Sequence, residues 1–325
     1  MERRKFLEAS AGLAGTMLLS REFAGAKPRE ARPLDAKAFH KSRRFAELPY
    51  GRIAYVEQGH GPASLFLHGF PLNGFQWRGA LSRLSKYRRC IAPDFMGLGY
   101  TETPEQQDIS PSAQADMLAG LLDSLSIDSV DVIANDSGGE VAQLFVARYP
   151  GRVRTLLLTN CDVDTNSPPP SFLPFLEAAR KGALVEGFAR LLADKALARS
   201  PKGLGAFYTD PANLTDEAID CYFAPLVSSP LRKAQCNRYA ASFEPNPLVA
   251  IRPALKRCAA PTRIVWAAAD TIFEASWAAW LDQTLPQSRG VRLIEGAKLF
   301  FPEEMPDIIA EEALTLWGVP GPHHG

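Results

Sequence analysis

The chain has 325 residues, 46% hydrophobic and 22% charged, an ordinary globular composition long enough for one large α/β domain with an inserted subdomain. Its 36 Lys+Arg and 36 Asp+Glu cancel, so charge recommends neither nucleic acid nor an anionic membrane, and a small uncharged molecule is the expected partner. The cysteines Cys90, Cys161, Cys221, Cys236 and Cys258 are scattered with no CxxC pair, which excludes the usual zinc and thioredoxin-type signatures, and no cofactor motif stands out.

Residues 1–26 form the first expected element. Arg3-Arg4-Lys5-Phe6-Leu7 precedes a mildly apolar, Ala/Gly-rich stretch, and Ala24-Gly25-Ala26 supplies an A-x-A cleavage pattern. The segment resembles a twin-arginine export signal, although Glu2 and Glu8 depart from the usual pattern. Export to the periplasm is therefore expected; read as a basic amphipathic tail, the segment would leave the protein cytoplasmic. No stretch is long and apolar enough to span a bilayer, so stable membrane insertion is not expected. Residues 27–42 read as a basic, irregular linker.

A hairpin is expected at 45–48 and 53–56, turning at Tyr50-Gly51. Mostly apolar runs follow at 64–67, 90–92, 130–134, 155–158, 263–266 and 291–294, the pattern of strands buried on both faces. Helical patterns at 114–125, 140–149 and 276–285 separate several of them, which predicts βαβ units around a mostly parallel sheet. About a hundred residues between Asn160 and Ile264 lack a convincing strand, too many for a loop. They predict a helical cap at 162–247 between two core segments, 27–161 and 248–318, with a tail at 319–325. The sequence does not set an oligomeric state.

The chemistry concentrates in Ala134-Asn135-Asp136-Ser137-Gly138-Gly139, which follows a strand and opens a helix. Small residues two before and two after Asp136 are what a tight strand-to-helix turn needs, so Asp136 takes the apex of a nucleophile elbow. A frame shifted to Ser137 would put Asn135 at the small position. Capping alone would suit Asp136 but would not explain the paired glycines. His68-Gly69-Phe70-Pro71 follows an earlier strand, where the main-chain N–H groups of Phe70 and Ser137 would form an oxyanion hole; His68 then reads as structural. Pro93-Asp94-Phe95-Met96-Gly97-Leu98-Gly99 reads as a turn held by Asp94.

HGFP, PDxxGxG and the DxGG elbow make residues 45–318 resemble the α/β-hydrolase superfamily. Within it the chain is similar to the epoxide hydrolase and haloalkane dehalogenase branch, whose aspartate attacks carbon to form an alkyl-enzyme ester that a His-activated water hydrolyses. The resemblance implies Asp270, after the strand ending in Trp266, as the charge-relay acid, with Asp162 as the alternative. It implies a His seven residues before Pro306, where this chain has Leu299. A leucine cannot move a proton, so the second half-reaction lacks its usual base; Lys298, Glu295 and Asp270 are the replacements open to the sequence. The halide-binding Trp after the nucleophile is also replaced, by Ser137. Tyr208, Tyr222 and Tyr239 in the cap are candidates for the proton-donating tyrosines of epoxide hydrolases. Two functions follow: a hydrolase of epoxide or carbon–halogen type, or a ligand-binding relative that has lost its triad.

Overall fold

A computed structural model describes residues 33–320; the expected export signal and residues 321–325 of the tail lie outside that range. Eight strands form one sheet: β1 (Arg43–Leu48), β2 (Gly51–Gln58), β3 (Ala63–Leu67), β4 (Arg89–Pro93), β5 (Val130–Asp136), β6 (Val153–Cys161), β7 (Thr262–Ala267) and β8 (Ser288–Ile294). Their order is β1-β2-β4-β3-β5-β6-β7-β8. The β1–β2 hairpin is antiparallel, as is the pairing of β2 with β4; the other five pairings are parallel. This is the mainly parallel α/β sheet that the buried apolar runs predicted.

Helices α1 (Ala36–Ser42), α2 (Arg78–Leu84), α3 (Pro111–Ser124) and α4 (Ser137–Arg148) precede β6, and α11 (Ala275–Thr284), α12 (Phe301–Glu304) and α13 (Pro306–Leu316) follow β7. Between β6 and β7 lie α5 (Leu173–Arg180), α6 (Leu184–Ala193), α7 (Lys195–Arg199), α8 (Asp216–Val227), α9 (Pro230–Ala241) and α10 (Leu248–Leu255). Local chemistry sets their starts. Ser110, Thr215 and Ser229 each cap a helix by accepting from a backbone N–H three residues on, and Pro111 and Pro230 occupy first-turn positions where no donor is lost.

The expected linker is corrected in part. Residues 36–42 are helical because Asp35 accepts from Ala38 N at 2.7 Å and Phe39 is buried edge-on against Phe75 at 5.2 Å. β5 is buried along its whole length, yet carries Asp131 near its start. Arg88 and Arg154 reach that carboxylate at 2.9 and 2.8 Å, which offsets the cost of burying it.

Candidate active site

The turn from β5 into α4 fixes the site. Asp136 has φ 56° and ψ −133°, a left-handed conformation that a non-glycine residue rarely adopts and that costs backbone strain. The glycines permit the close approach this turn requires. A Cβ on Gly138 would lie 2.4 Å from Leu67 O, and one on Gly139 would lie 2.3 Å from Cys161 Cβ. The elbow therefore packs directly on the ends of β3 and β6.

That packing sets Asp136 against the loop after β3. Phe70 N donates to Asp136 Oδ1 at 2.8 Å and Ser137 N donates to the same oxygen at 2.6 Å. Both backbone hydrogen bonds fall on Oδ1 and none on Oδ2. Burial pushes the Asp136 carboxyl up to about 6, opposed by these hydrogen bonds and by the Ser137 side chain. The carboxylate thus remains the main form at neutral pH. His68 is fully buried, accepting from Phe95 N through Nε2 at 3.0 Å and contacting Gly69 O through Nδ1 at 2.9 Å. Both ring nitrogens hold loops together.

A buried polar chain aligns the surrounding loops. Gly69 N donates to Gln76 Oε1, Gln76 Nε2 donates to Asn135 Oδ1, and Asn135 Nδ2 donates to Thr159 Oγ1, Asn160 O and Leu299 O. Asn135 thereby ties Gln76, the end of β6 and the Leu299 loop to the elbow.

Asp136 and Ser137 sit in the wall of a cavity of about 210 Å³, nine of whose lining residues are phenylalanines. Some, such as Phe70 and Phe300, come from the core; others, such as Phe172, Phe188 and Phe243, come from the insertion between β6 and β7. Leu299 lines the same cavity. Besides Asp136, its titratable lining residues are Asp162 and the exposed Lys202.

The sequence candidates separate on this geometry. Asp270 does not line the cavity. Its Oδ1 accepts from Ile272 N and its Oδ2 from Asn160 Nδ2, both at 2.8 Å. Burial pushes it up to about 6, opposed by those hydrogen bonds. Lys298 Nζ turns away to donate to Ala206 O at 3.2 Å, and Glu295 is exposed. Tyr208 and Tyr222 are placed elsewhere than the sequence reading had them. Both donate to Glu303 Oε2, at 2.6 and 2.9 Å, while Arg78 pairs with Oε1. They join insertion to core because a buried carboxylate with an arginine partner needs further donors. Tyr239 is close to the elbow: its hydroxyl meets Ser137 Oγ at 3.3 Å and its ring stacks on Phe70 at 5.7 Å.

Sequence reasoning missed Glu140, fully buried in the first turn of α4, where Ser167 Oγ donates to its Oε1 at 3.0 Å. The signal was a glutamate where α4 meets the sheet, a face that has to be apolar or paired. Among the described residues no cluster of His, Cys, Asp and Glu could hold a metal ion, and no helix is long and apolar enough to cross a membrane.

The model of the alpha/beta hydrolase fold family matches residues 62–304. The chain belongs to that family. It is 26% identical to haloalkane dehalogenase 2 of Mycobacterium tuberculosis over 88% of this chain and 96% of the relative. Epoxide hydrolase 2 of Siraitia grosvenorii is 39% identical over 42% of this chain and 40% of that protein. The cis-3-alkyl-4-alkyloxetan-2-one decarboxylase of Shewanella oneidensis is 31% identical, but the match spans 36% of this chain and 38% of the relative. In three dimensions an alpha/beta hydrolase fold protein from Burkholderia ambifaria superposes with a TM-score of 0.73 at 21% identity, covering 88% of this chain and 99% of that one; this likeness concerns the fold.

Proposed function

We propose that the protein hydrolyses a small, hydrophobic electrophile, with Asp136 as nucleophile and an alkyl ester on its carboxylate as the intermediate. The observation that carries this reading is the division of labour between the two oxygens of Asp136. Oδ1 rests between two N–H donors, which leaves Oδ2 to attack carbon. When water later attacks Cγ, the developing negative charge falls on Oδ1, already held by those donors. The same two hydrogen bonds serve both halves of the reaction.

The leaving atom is best read as oxygen. Among the described lining residues there is no tryptophan or asparagine to donate N–H to a halide. Ser137 lines the cavity and the Tyr239 hydroxyl donates to its Oγ at 3.3 Å; such a pair suits protonation of an alkoxide. A strained oxygen ring, an epoxide above all, fits these donors and the phenylalanine walls. The epoxide hydrolase and oxetanone decarboxylase among the relatives act on such rings, as their names state. Export through the twin-arginine-type segment and a cap formed by residues 162–247 remain part of the same proposal.

Incubation with 1,2-epoxyhexane and with 1-bromohexane tests it. The expected result is diol from the epoxide at a rate exceeding any bromide release, abolished in Asp136→Asn. Binding of both compounds with no turnover and no covalent mass gain would point instead to a ligand-binding protein.

A further inference from the structure

If Asp136 carries an ester, something must activate water, and Leu299 cannot. We propose that Asp162, backed by Glu140, is the base that draws the proton from the hydrolytic water; this rests on the reading of Asp136 as nucleophile. Asp162 follows directly on β6 and lines the cavity together with Asp136 and Ser137. Glu140 lies one turn along α4 from Ser137 and does not reach the cavity wall. The end of β6 is fixed to α4 by Gln143, whose Nε2 donates to Gly139 O at 3.0 Å and to Asp162 O at 2.7 Å.

Two buried carboxylate oxygens here accept no hydrogen bond, Asp162 Oδ1 and Glu140 Oε2. Asp162 is only 3% exposed and Glu140 not at all, and such atoms in folded proteins are nearly always paired, with water where protein offers nothing. Among the described residues no cation offsets them. The charged groups that face Asp162 are Glu140 and Asp136, and Ser167 is the neutral donor nearby. Burial, then Glu140 and Asp136, push Asp162 well above the usual carboxylate range, and burial takes Glu140 up to about 8. The neighbouring Cys161 thiol and Tyr239 hydroxyl are pushed up by burial as well and stay neutral. Two carboxyls so placed cannot both ionise, so the pair holds a proton.

The step balances without any other reactant. Water oxygen bonds to Asp136 Cγ while one water proton passes to the Asp162 carboxylate, with Glu140 holding the pair's shared proton. The tetrahedral centre collapses, the Cγ–Oδ2 bond breaks so that Oδ2 leaves on the substrate carbon, and this alkoxide takes the proton from Asp162. Asp136 then ionises, replacing the proton given to the ring oxygen in the first step. Lys298, Glu295 and Asp270 lose the role on position: none lines the cavity.

The experiment is single-turnover kinetics with 1,2-epoxyhexane in H₂¹⁸O, following intact mass and the label in the Asp136 peptide. Asp162→Asn is expected to form the adduct at the wild-type rate and to hydrolyse it about a hundredfold or more slowly, the usual scale of general-base help. Glu140→Gln is expected to shift the rising limb of the hydrolysis rate to lower pH, because Asp162 then ionises without a like charge beside it. A structural role alone would leave that limb in place. Wild-type hydrolysis by Asp162→Asn, with label at Asp136, would overturn the pair alone. Should Asp162→Asn fail to fold, an unshifted limb in Glu140→Gln overturns the proposal. Turnover that never labels Asp136 in the wild-type protein would overturn the nucleophile reading, and the pair with it.

Discussion

Leu299 is tied through its carbonyl to the residue before Asp136, Asn135 Nδ2 donating to Leu299 O at 3.2 Å, and it lines the same cavity as Asp136. A side chain that could move protons, placed at 299, would therefore enter the site. In the Asp162→Asn background, Leu299→His is expected to restore ester hydrolysis by about tenfold or more, measured as decay of the adduct mass. No recovery would show that Asp270, held by Asn160 and Ile272, cannot orient an imidazole there.

Gly69 packs against Asp136 from the loop after β3. A Cβ at this position would lie 2.6 Å from Asp136 Cβ and 2.9 Å from Oδ1. Gly69→Ala should displace the carboxylate from the Phe70 N–H and slow adduct formation by about a hundredfold, the scale of a misplaced reacting group. An unchanged rate would mean that alignment at this hydrogen bond does not govern attack.

Glu140 should also leave a mark on stability. Its folded value of about 8 lies above its ordinary 4.5. As pH rises through that window, the unfolded chain releases the proton and the folded protein retains it, so the wild type loses stability, by about 1.4 kcal/mol per pH unit at most. Glu140→Gln lacks this loss. Melting temperatures from pH 4 to pH 8.5 should therefore diverge in the variant's favour as pH rises. A constant difference across the range would refute the buried-acid assignment.

The export reading concerns residues 1–26 alone. Fused to a reporter, residues 1–30 should direct it across the membrane, and Arg3→Lys with Arg4→Lys should stop it. Transport unaffected by the double substitution would show that the arginine pair is incidental.

Much of the sheet was legible because a strand buried on both faces leaves a mostly apolar run, as in residues 130–134, where only Asp131 interrupts it. The elbow was legible because Gly138 and Gly139 stand where any Cβ would collide with β3 or β6. Helix α1 was not, since it depends on one cap at Asp35 and one buried ring at Phe39. The carboxyl pair was hidden for another reason: Glu140 and Asp162 lie on different elements, and only the packing of α4 against the end of β6 joins them. The tyrosines illustrate the limit of residue type as a guide. Three lie in the insertion, all buried, and what separates Tyr239 from Tyr208 and Tyr222 is which polar group each hydroxyl meets, Ser137 or Glu303.

In the proposed reaction Asp136 carries the substrate. The most direct measurement of this is peptide mass analysis after one turnover of 1,2-epoxyhexane in H₂¹⁸O. One ¹⁸O is expected in the carboxylate of Asp136, because water attacks Cγ and its oxygen stays on the enzyme, while the diol is unlabelled. Label found in the diol, with none in Asp136, would mean that water attacks the substrate directly and that Asp136 is not the nucleophile.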